Sequence, residues 1–554
     1  MAVHHLGHLL LKLLLMTSVR SVSASLHAHS PHKLPGTIIP EHVDTTHPHY
    51  YDYYMYGAKT STSTITIDTA ALIHTVDPRF ASFTIDASQW RELDLHNTNF
   101  TFLAKQLSPS VLRVGGTQAD YDVYQFGNYS NLDCNHLPSP MTNYRCRTVN
   151  ASQWKSLVNF SNVINADLVY GLNDLYGRPT KTKPETKQCT LNCPSRNQNN
   201  LKAFLKWNHE HMDADAIYGY ELGNELNDYF NGANGAKEQA KDLYLVQTYV
   251  NELYQNESWI PNVIGPDTHS SAEYSKEGLK WLTTFVKESK SWMAVVTFHM
   301  YSMGNGPSLN PNDLNASFLN ATALNKSGQG AKAVVDIVGI EGNKNTKVWA
   351  GETASANNGG QSGITDTYIN GFWYLDELGS HAAVGVDMVL RQTLENSGGY
   401  PLLENYQPLP DYWLVLLHKR IMGNRVLKVG SGNMNLRVYG HCSVDSGGGV
   451  ALAWLNIGEE EMMLDLPSEY DDGRNATLWV LEPGERMKGM KNPLQSQFVQ
   501  LNGAVLELMV EKGRGGSLVL PNLSGKEVVV GEIVLPASSY GFLRLRNGMS
   551  NVCT

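Results

Sequence analysis

Eight apolar runs, each ended by polar residues and most of them separated by a helical pattern, limit what this chain can fold into. They are FTIDA (Phe83 to Ala87), VLRVGG (Val111 to Gly116), ADLVYGLN (Ala166 to Asn173) and AIYGYELGN (Ala216 to Asn224), then NVIGPD (Asn262 to Asp267), AVVTFHMY (Ala294 to Tyr301), VWAGET (Val348 to Thr353) and VGVDMVLRQ (Val384 to Gln392). Runs so continuously apolar read as parallel strands covered on both faces. Between them lie segments such as NLKAFLKWNHEH and KEGLKWLTTFVKES, whose apolar residues recur at helical spacing. Strand and helix alternating eight times predict an α/β fold, a (β/α)8 TIM barrel.

The polar residues fall where such a barrel places its chemistry. Asp86, Thr117, Asn173, Asn224 with Glu225, Asp267, His299 with Tyr301, Glu352, and Arg391 with Gln392 all stand at or just past strand C-terminal ends. Barrel enzymes build their sites at that face. Capping of the following helices explains several of these residues, but not His299, Tyr301, Arg391 and Gln392. Two strand ends are richest, ELGNE and GET. They deliver Glu225 and Glu352 at the fourth and seventh strands, and two such carboxyls supply the proton donor and nucleophile of glycoside hydrolysis. Glu221 is expected to be a buried ion-pair member.

At 554 residues the chain exceeds one core and calls for two domains. Past about Val426 the pattern becomes short alternating runs, NLRVYGHC, GVALAWLNI, TLWVLEP, AVLELMV and GFLRLRN, broken by Gly, Asn, Ser and Pro. That predicts a C-terminal β-sandwich over 426–554, after a catalytic barrel over 81–425. TSTITID alternates as a strand, and residues 61–80 are expected to join the sandwich. Residues 25–60, rich in His, Pro and Tyr, read as a mobile N-terminal segment.

Residues 1–24 resemble a secretory signal with a Val22-Ser23-Ala24 site, although Lys12 interrupts the apolar stretch. Sequons at Asn99, Asn128, Asn150, Asn159, Asn256, Asn315, Asn320, Asn325, Asn475 and Asn522 agree with passage through the secretory route. The expected location is extracellular, or a lysosome- or vacuole-like compartment. Six cysteines fit an oxidising environment: Cys134 and Cys146 share one loop, Cys189 and Cys193 another, and Cys442 and Cys553 flank the last domain. Their spacing matches no zinc site, so neither metal nor cofactor is expected. No other stretch is long and apolar enough to span a membrane. A net charge of -10 argues against nucleic acid as a partner. A monomer is expected.

From about Asp86 to the C-terminus the chain resembles the heparanase and β-glucuronidase group, family 79 of the glycoside hydrolases. The resemblance rests on LSPSVLRVGGTQAD, YELGNELN, IGPD, FHMY, WAGETASANNGG, VLRQ, ENYQPLPDYWLVLLHKR and LRVYGHC. It implies a retaining hydrolase that cuts beside β-linked glucuronic acid in a glycan or glucuronide, and a Cys442–Cys553 bridge. It further implies Glu225 as acid/base, Glu352 as nucleophile, and Asn224 as the amide reaching the sugar's 2-hydroxyl. Tyr301 would stand near the nucleophile, Asp86 and Thr117 in the same pocket. Gly359, Gly360 and Tyr400 would receive the sugar carboxylate through backbone N–H and phenol. Heparanases that cut sulfated chains carry a basic cluster after the motif matched here by GPD, where this chain reads THSSAEYSK. That departure favours an exo-acting β-glucuronidase over an endo-acting, heparanase-like hydrolase. A non-catalytic glycan-binding relative should lack one of the carboxylates, and both are present.

Overall fold

The computed structural model describes residues 59–546 and 552–553, except 127–133, 135–144, 177–197, 231, 270–273, 397, 446–447, 471–474, 485–491 and 511–517. The expected signal, the N-terminal segment to residue 58, Cys189, Cys193 and the sequon at Asn128 lie outside the described residues. Strand β1 (Thr60–Thr75) precedes eight strands: β2 (Ala81–Asp86), β3 (Ser110–Gly115), β4 (Ala166–Leu172), β5 (Gly219–Leu222), β6 (Asn262–Thr268), β7 (Val295–Met300), β8 (Lys347–Thr353) and β9 (Met388–Arg391). These eight pair in parallel and close into a barrel in chain order. Each falls on one of the runs read as a barrel strand.

Helices follow the strands: α1 (Thr98–Gln106), α2 (Ala151–Val163), α3 (Gln198–His211), α4 (Gly232–Tyr254), α5 (Lys276–Ser289), α6 (Ala321–Glu341), α7 (Asn370–Val384) and α8 (Pro410–Ile421). Their starts are written in the sequence. Asn150 caps α2 by accepting from the Gln153 N–H in a capping box, and Asn97 and Asn320 cap α1 and α6. Pro410 opens α8 at a position that needs no N–H, which accounts for the PLPDYW motif.

The second layer is an eleven-stranded sheet that bends on itself. Its middle runs through β14 (Asn475–Pro483), β15 (Ser539–Leu545), β12 (Val450–Asn456), β11 (Leu436–Ser443), β10 (Met422–Ser431), β1 and β13 (Glu461–Asp465). Strand β1 turns the corner: Thr60 to Thr64 pair in parallel with β13, and Ile65 to Thr75 pair antiparallel with β10. Between the halves lies an apolar core that includes Ile65, Leu452, Trp454, Leu464 and Leu543. The Cys442–Cys553 disulfide ties β11 to the chain's end, and Cys134 pairs with Cys146. AVLELMV is not one strand. It splits into pairings at Ala504–Val505 and Met509–Val510, because Leu506 turns inward and its N–H bonds Val499 O at 2.9 Å.

Barrel and sandwich belong to one compact unit over 58–554. Helix α7 is their shared element. An added Cβ at Gly379 would lie 2.1 Å from the Tyr439 ring, and one at Gly371 would lie 2.2 Å from the Tyr540 hydroxyl. The glycines, two turns apart, let the sandwich tyrosines approach the helix backbone. Asp376 on the same helix takes a bidentate pair from Arg437 and a hydrogen bond from Tyr439 at 2.5 Å. Among the described residues no helix is long and apolar enough to cross a membrane.

Candidate active site

At the C-terminal face of the barrel lies a cavity of about 290 Å³, near the lower end of ligand-sized clefts, which run from roughly 300 Å³ upward. Asp86, Thr117, Asn224, Glu225, Tyr301, Glu352, Gly359 and Tyr400 line it, together with Ser88, Gly116, Gln118, His269, Asn357, Asn358, Gln392 and Gly398.

The ELGNE turn sets Glu225 through its backbone. Gly223 has φ +77, and a Cβ there would strike Leu226 at 2.2 Å. Asn224 gives its N–H to Asp120 at 2.9 Å. Glu225 is itself left-handed at φ 55, a costly conformation for a non-glycine residue, held by its N–H to Asp267 O at 2.8 Å. The carboxyl faces the cavity with about a quarter of its side chain exposed.

Glu352, only 6% exposed, stands at the end of β8. Tyr301 donates to one of its oxygens, and Arg113 Nη1 donates to the other at 2.7 Å. Arg113 is buried beneath the site and also binds Glu221 at 2.6 Å, Asp267 at 2.7 Å and Asn224 Oδ1 at 3.2 Å. Burial raises the Asp267 carboxyl, but the Arg113 and His299 charges outweigh it and hold Asp267 well below the usual carboxylate range. Glu221 faces Arg113 without His299. Burial wins there, aided by the Asp267 charge, and pushes Glu221 up to about 8. The two carboxyls are therefore displaced in opposite directions, Asp267 downward and Glu221 upward.

His299 joins the carboxylates. Its Nδ1 lies 2.9 Å from Glu225 Oε1 and 3.9 Å from Glu352 Oε1, and its Nε2 lies 3.5 Å from Asp267 Oδ1. Burial lowers the imidazole, but the charges of Glu352 and Asp267 outweigh it and hold it well above its ordinary value. Burial alone would raise Glu225. The hydrogen bond and charge of His299 reverse that, leaving the carboxyl below its ordinary value.

Glu225, His299 and Glu352 offer donor atoms within 4.8 Å of one another. Both Glu352 oxygens already accept hydrogen bonds from Tyr301 and Arg113, so the trio is arranged for proton and nucleophile chemistry rather than as an open ligand set.

The wall beyond Glu352 is built from glycine. Gly399 N–H bonds Gly359 O at 2.6 Å, and a Cβ on Gly398 would lie 2.5 Å from the same oxygen. The loops after β8 and β9 can close together only without side chains there. Tyr400 sits against this wall, 5% exposed. Gly360 lies behind it, outside the cavity lining, and its N–H goes to Asn357 O at 3.2 Å. Asp86 accepts from Ser88 N–H at 2.8 Å and from Gln392 at 3.1 Å.

Two strand-end residues lie elsewhere. Asn173 folds its own loop by accepting from the Leu175 and Tyr176 N–H groups. Arg391 pairs with Asp411 at 3.0 Å. Missed among the candidates were Arg113, Gln118, His269, Asn357, Asn358 and Gly398. An arginine inside an apolar strand, VLRVGG, was the available sign of the first.

Residues 64–379 match the model described as glycosyl hydrolase family 79, N-terminal domain. Baicalin-beta-D-glucuronidase of Scutellaria baicalensis is 31% identical over 437 residues, 76% of this chain and 78% of that protein. Heparanase of Bos taurus is 27% identical over 538 residues, 87% and 91% respectively. Among solved structures, a 4-O-alpha-L-rhamnosyl-beta-D-glucuronidase from Fusarium oxysporum superposes with a TM-score of 0.56 at 15% identity. It covers 87% of this chain and all of that one, a likeness of fold.

Proposed function

We propose, from the premise that this chain belongs to glycosyl hydrolase family 79, that it is a retaining, exo-acting β-glucuronidase of weakly charged glycans or small glucuronides. The observation that carries the reading is that Glu225 and Glu352 line one cavity and bring an oxygen of each within 4.8 Å, with His299 buried against both. Retention needs carboxyls about 5–5.5 Å apart, whereas inversion needs room for a water and roughly 6.5–9.5 Å.

In this mechanism Glu352, its oxygens aimed by Tyr301 and Arg113, attacks the anomeric carbon while a proton on Glu225 passes to the leaving oxygen. Glu225 then takes a proton from the water that releases the sugar. Asn224 has its Oδ1 occupied by Arg113, so its amide NH2 is what it offers the sugar's 2-hydroxyl. The sugar carboxylate would meet the Tyr400 phenol and the Gly359 N–H. Gly360, its N–H already bonded, supports the wall instead.

Three carboxylates and no Lys or Arg stand among the described lining residues. That lining disfavours a sulfated chain, because no cation offsets its charge. The stitched glycine loops form one end of a pocket, which supports exo action. The likeness to Baicalin-beta-D-glucuronidase supports a β-D-glucuronide as the substrate class. The two disulfides among the described residues fit an oxidising compartment. The sequons at Asn150, Asn159, Asn256, Asn320, Asn325 and Asn522 are exposed, Asn99 and Asn315 partly buried.

The test is release of chromophore from an aryl β-D-glucuronide at about pH 4 to 7, beside chain-length analysis of heparan sulfate. Aryl release with uncut heparan is the expected result. Cut heparan with slow aryl release would replace this reading with the endo-acting one, and two untouched substrates would favour a binding protein.

A further inference from the structure

We propose that the catalytic proton of the resting site is held on Nδ1 of His299, which lends it to Glu225 in each turnover. The proposal rests on the reading of Glu225 as acid/base and Glu352 as nucleophile, and makes His299 a positioning residue acting through Glu225. The geometry sets the ring among three carboxyls. Nδ1 faces Glu225 Oε1 at 2.9 Å, so that contact needs a proton between them. Nε2 faces Asp267 Oδ1 at 3.5 Å, a charge contact rather than a hydrogen bond, and both atoms are buried without a hydrogen-bond partner. A neutral ring with its N–H on Nε2 would have to accept at Nδ1 from a protonated Glu225, whereas an imidazolium beside an ionised Glu225 sets its charge next to Asp267 and Glu352.

The surrounding charge agrees. Glu225 at the end of β5, Asp267 on β6 and Glu352 on β8 face the ring. Arg113 on β3 binds two of them from below, and Glu221 accepts from its Nε on the far side. Tyr301 on the same segment donates to Glu352, and His269 lines the cavity with Glu225. Three carboxylates against the single Arg113 favour a second cation between them. The upward displacement of His299 and the downward displacement of Glu225 have that common cause.

The proton count closes over the cycle. On glycosylation the Nδ1 proton passes to the Glu225 carboxyl, whose terminal torsion is soft enough to turn it toward the substrate. It ends on the glycosidic oxygen as the C1–O bond breaks and the bond from Glu352 to C1 forms. With Glu352 now an ester, His299 is left neutral beside an ionised Glu225. In the second step the water oxygen bonds to C1, Glu352 leaves as carboxylate, and the water's proton returns through Glu225 to the imidazole.

The test combines one measurement on the unmodified enzyme with one variant. In ¹⁵N-histidine-labelled protein, His299 is expected to stay imidazolium well above pH 6.5 in the free enzyme. It should turn neutral at the same pH once Glu352 is trapped by a 2-deoxy-2-fluoro-β-glucuronosyl donor. His299→Asn keeps an N–H donor toward Glu225 but cannot titrate. Its kcat/KM for a poor leaving group should fall by about 10²–10⁴-fold, the usual worth of general acid catalysis. Its basic pH limb should move acidward by a unit or more, while a dinitrophenyl glucuronide, which leaves unprotonated, should be far less affected. A His299 already neutral in the free enzyme at pH 6 would overturn the proposal, as would an unmoved basic limb in the variant. The free-enzyme titration stands even if no glucuronide is hydrolysed, an outcome that would count against the proposed function instead.

Discussion

Replacing Arg113 with methionine tests the electrostatic floor of the site. Arg113 is 1% exposed and meets Glu221, Asp267 and Glu352 at 2.6, 2.7 and 2.7 Å. At an effective dielectric of about 20, charge centres about 4 Å apart attract by roughly 4 kcal/mol. Much of that is offset by the cost of taking the ions out of water. Breaking a buried pair from one side nevertheless costs about 3–5 kcal/mol, because the surviving charges stay buried. For a cooperative unit of this size, at about 2.1 cal/mol/K per residue and hence roughly 1 °C per kcal/mol, Tm at neutral pH should fall by roughly 3–5 °C.

The sign of the pH dependence follows from Asp267, whose folded-state carboxyl is held below its unfolded value by Arg113 and His299. Such a group stabilises the protein above its unfolded pKa, and the stability is lost as pH falls. Without Arg113 the carboxyls rise and take up protons readily, so the variant suffers most at pH 7 and recovers part of the gap at pH 5. Thermal unfolding of both proteins at the two pH values, read by near-ultraviolet circular dichroism, measures the difference. An unchanged Tm at pH 7, or a gap that widens on acidification, would refute the assigned network.

Three further outcomes are expected. Glu352→Gln should lose several orders of magnitude of aryl glucuronide hydrolysis with its fold intact, and near-normal turnover in that variant would exclude the nucleophile assignment. Tyr301→Phe removes a charge-assisted hydrogen bond worth about 1.5–3 kcal/mol, so kcat should fall roughly 10- to 100-fold; a change confined to KM would contradict it. Burial pushes His441 from 6.5 down to about 4, with Nδ1 on Gly423 O at 2.6 Å. A depressed histidine gives stability that is complete above pH 6.5 and lost as pH falls toward 4. The loss is about 3 kcal/mol at 1.36 kcal/mol per pKa unit. His441→Asn should therefore flatten the fall of Tm between those pH values, and parallel curves would count against it.

The barrel was legible because a parallel strand buried on both faces must be apolar throughout and must end abruptly where it meets the site, as at Leu222 before Gly223-Asn224-Glu225. Glu225 and Glu352 stood out for the same reason. What lay beneath them did not. Arg113 is one charged residue inside an apolar run, and only the closed barrel shows three carboxylates converging on it. Asn173 and Arg391 occupy the same kind of strand end as the cavity residues, yet serve a loop and an ion pair with Asp411. Sequence position gives the end of a strand, while the direction of a side chain depends on the following turn. The NNGG motif pointed to the right wall, but that Gly360 spends its N–H on Asn357 depends on a hydrogen bond three residues back.

The most direct measurement of the central claim is the configuration of the first sugar released. Proton NMR of a fast reaction on an aryl β-D-glucuronide shows which anomer of glucuronic acid forms before mutarotation. Carboxyl oxygens within 4.8 Å lead to retention, so the β anomer is expected first. The α anomer appearing first would mean inversion and would contradict a covalent intermediate on Glu352.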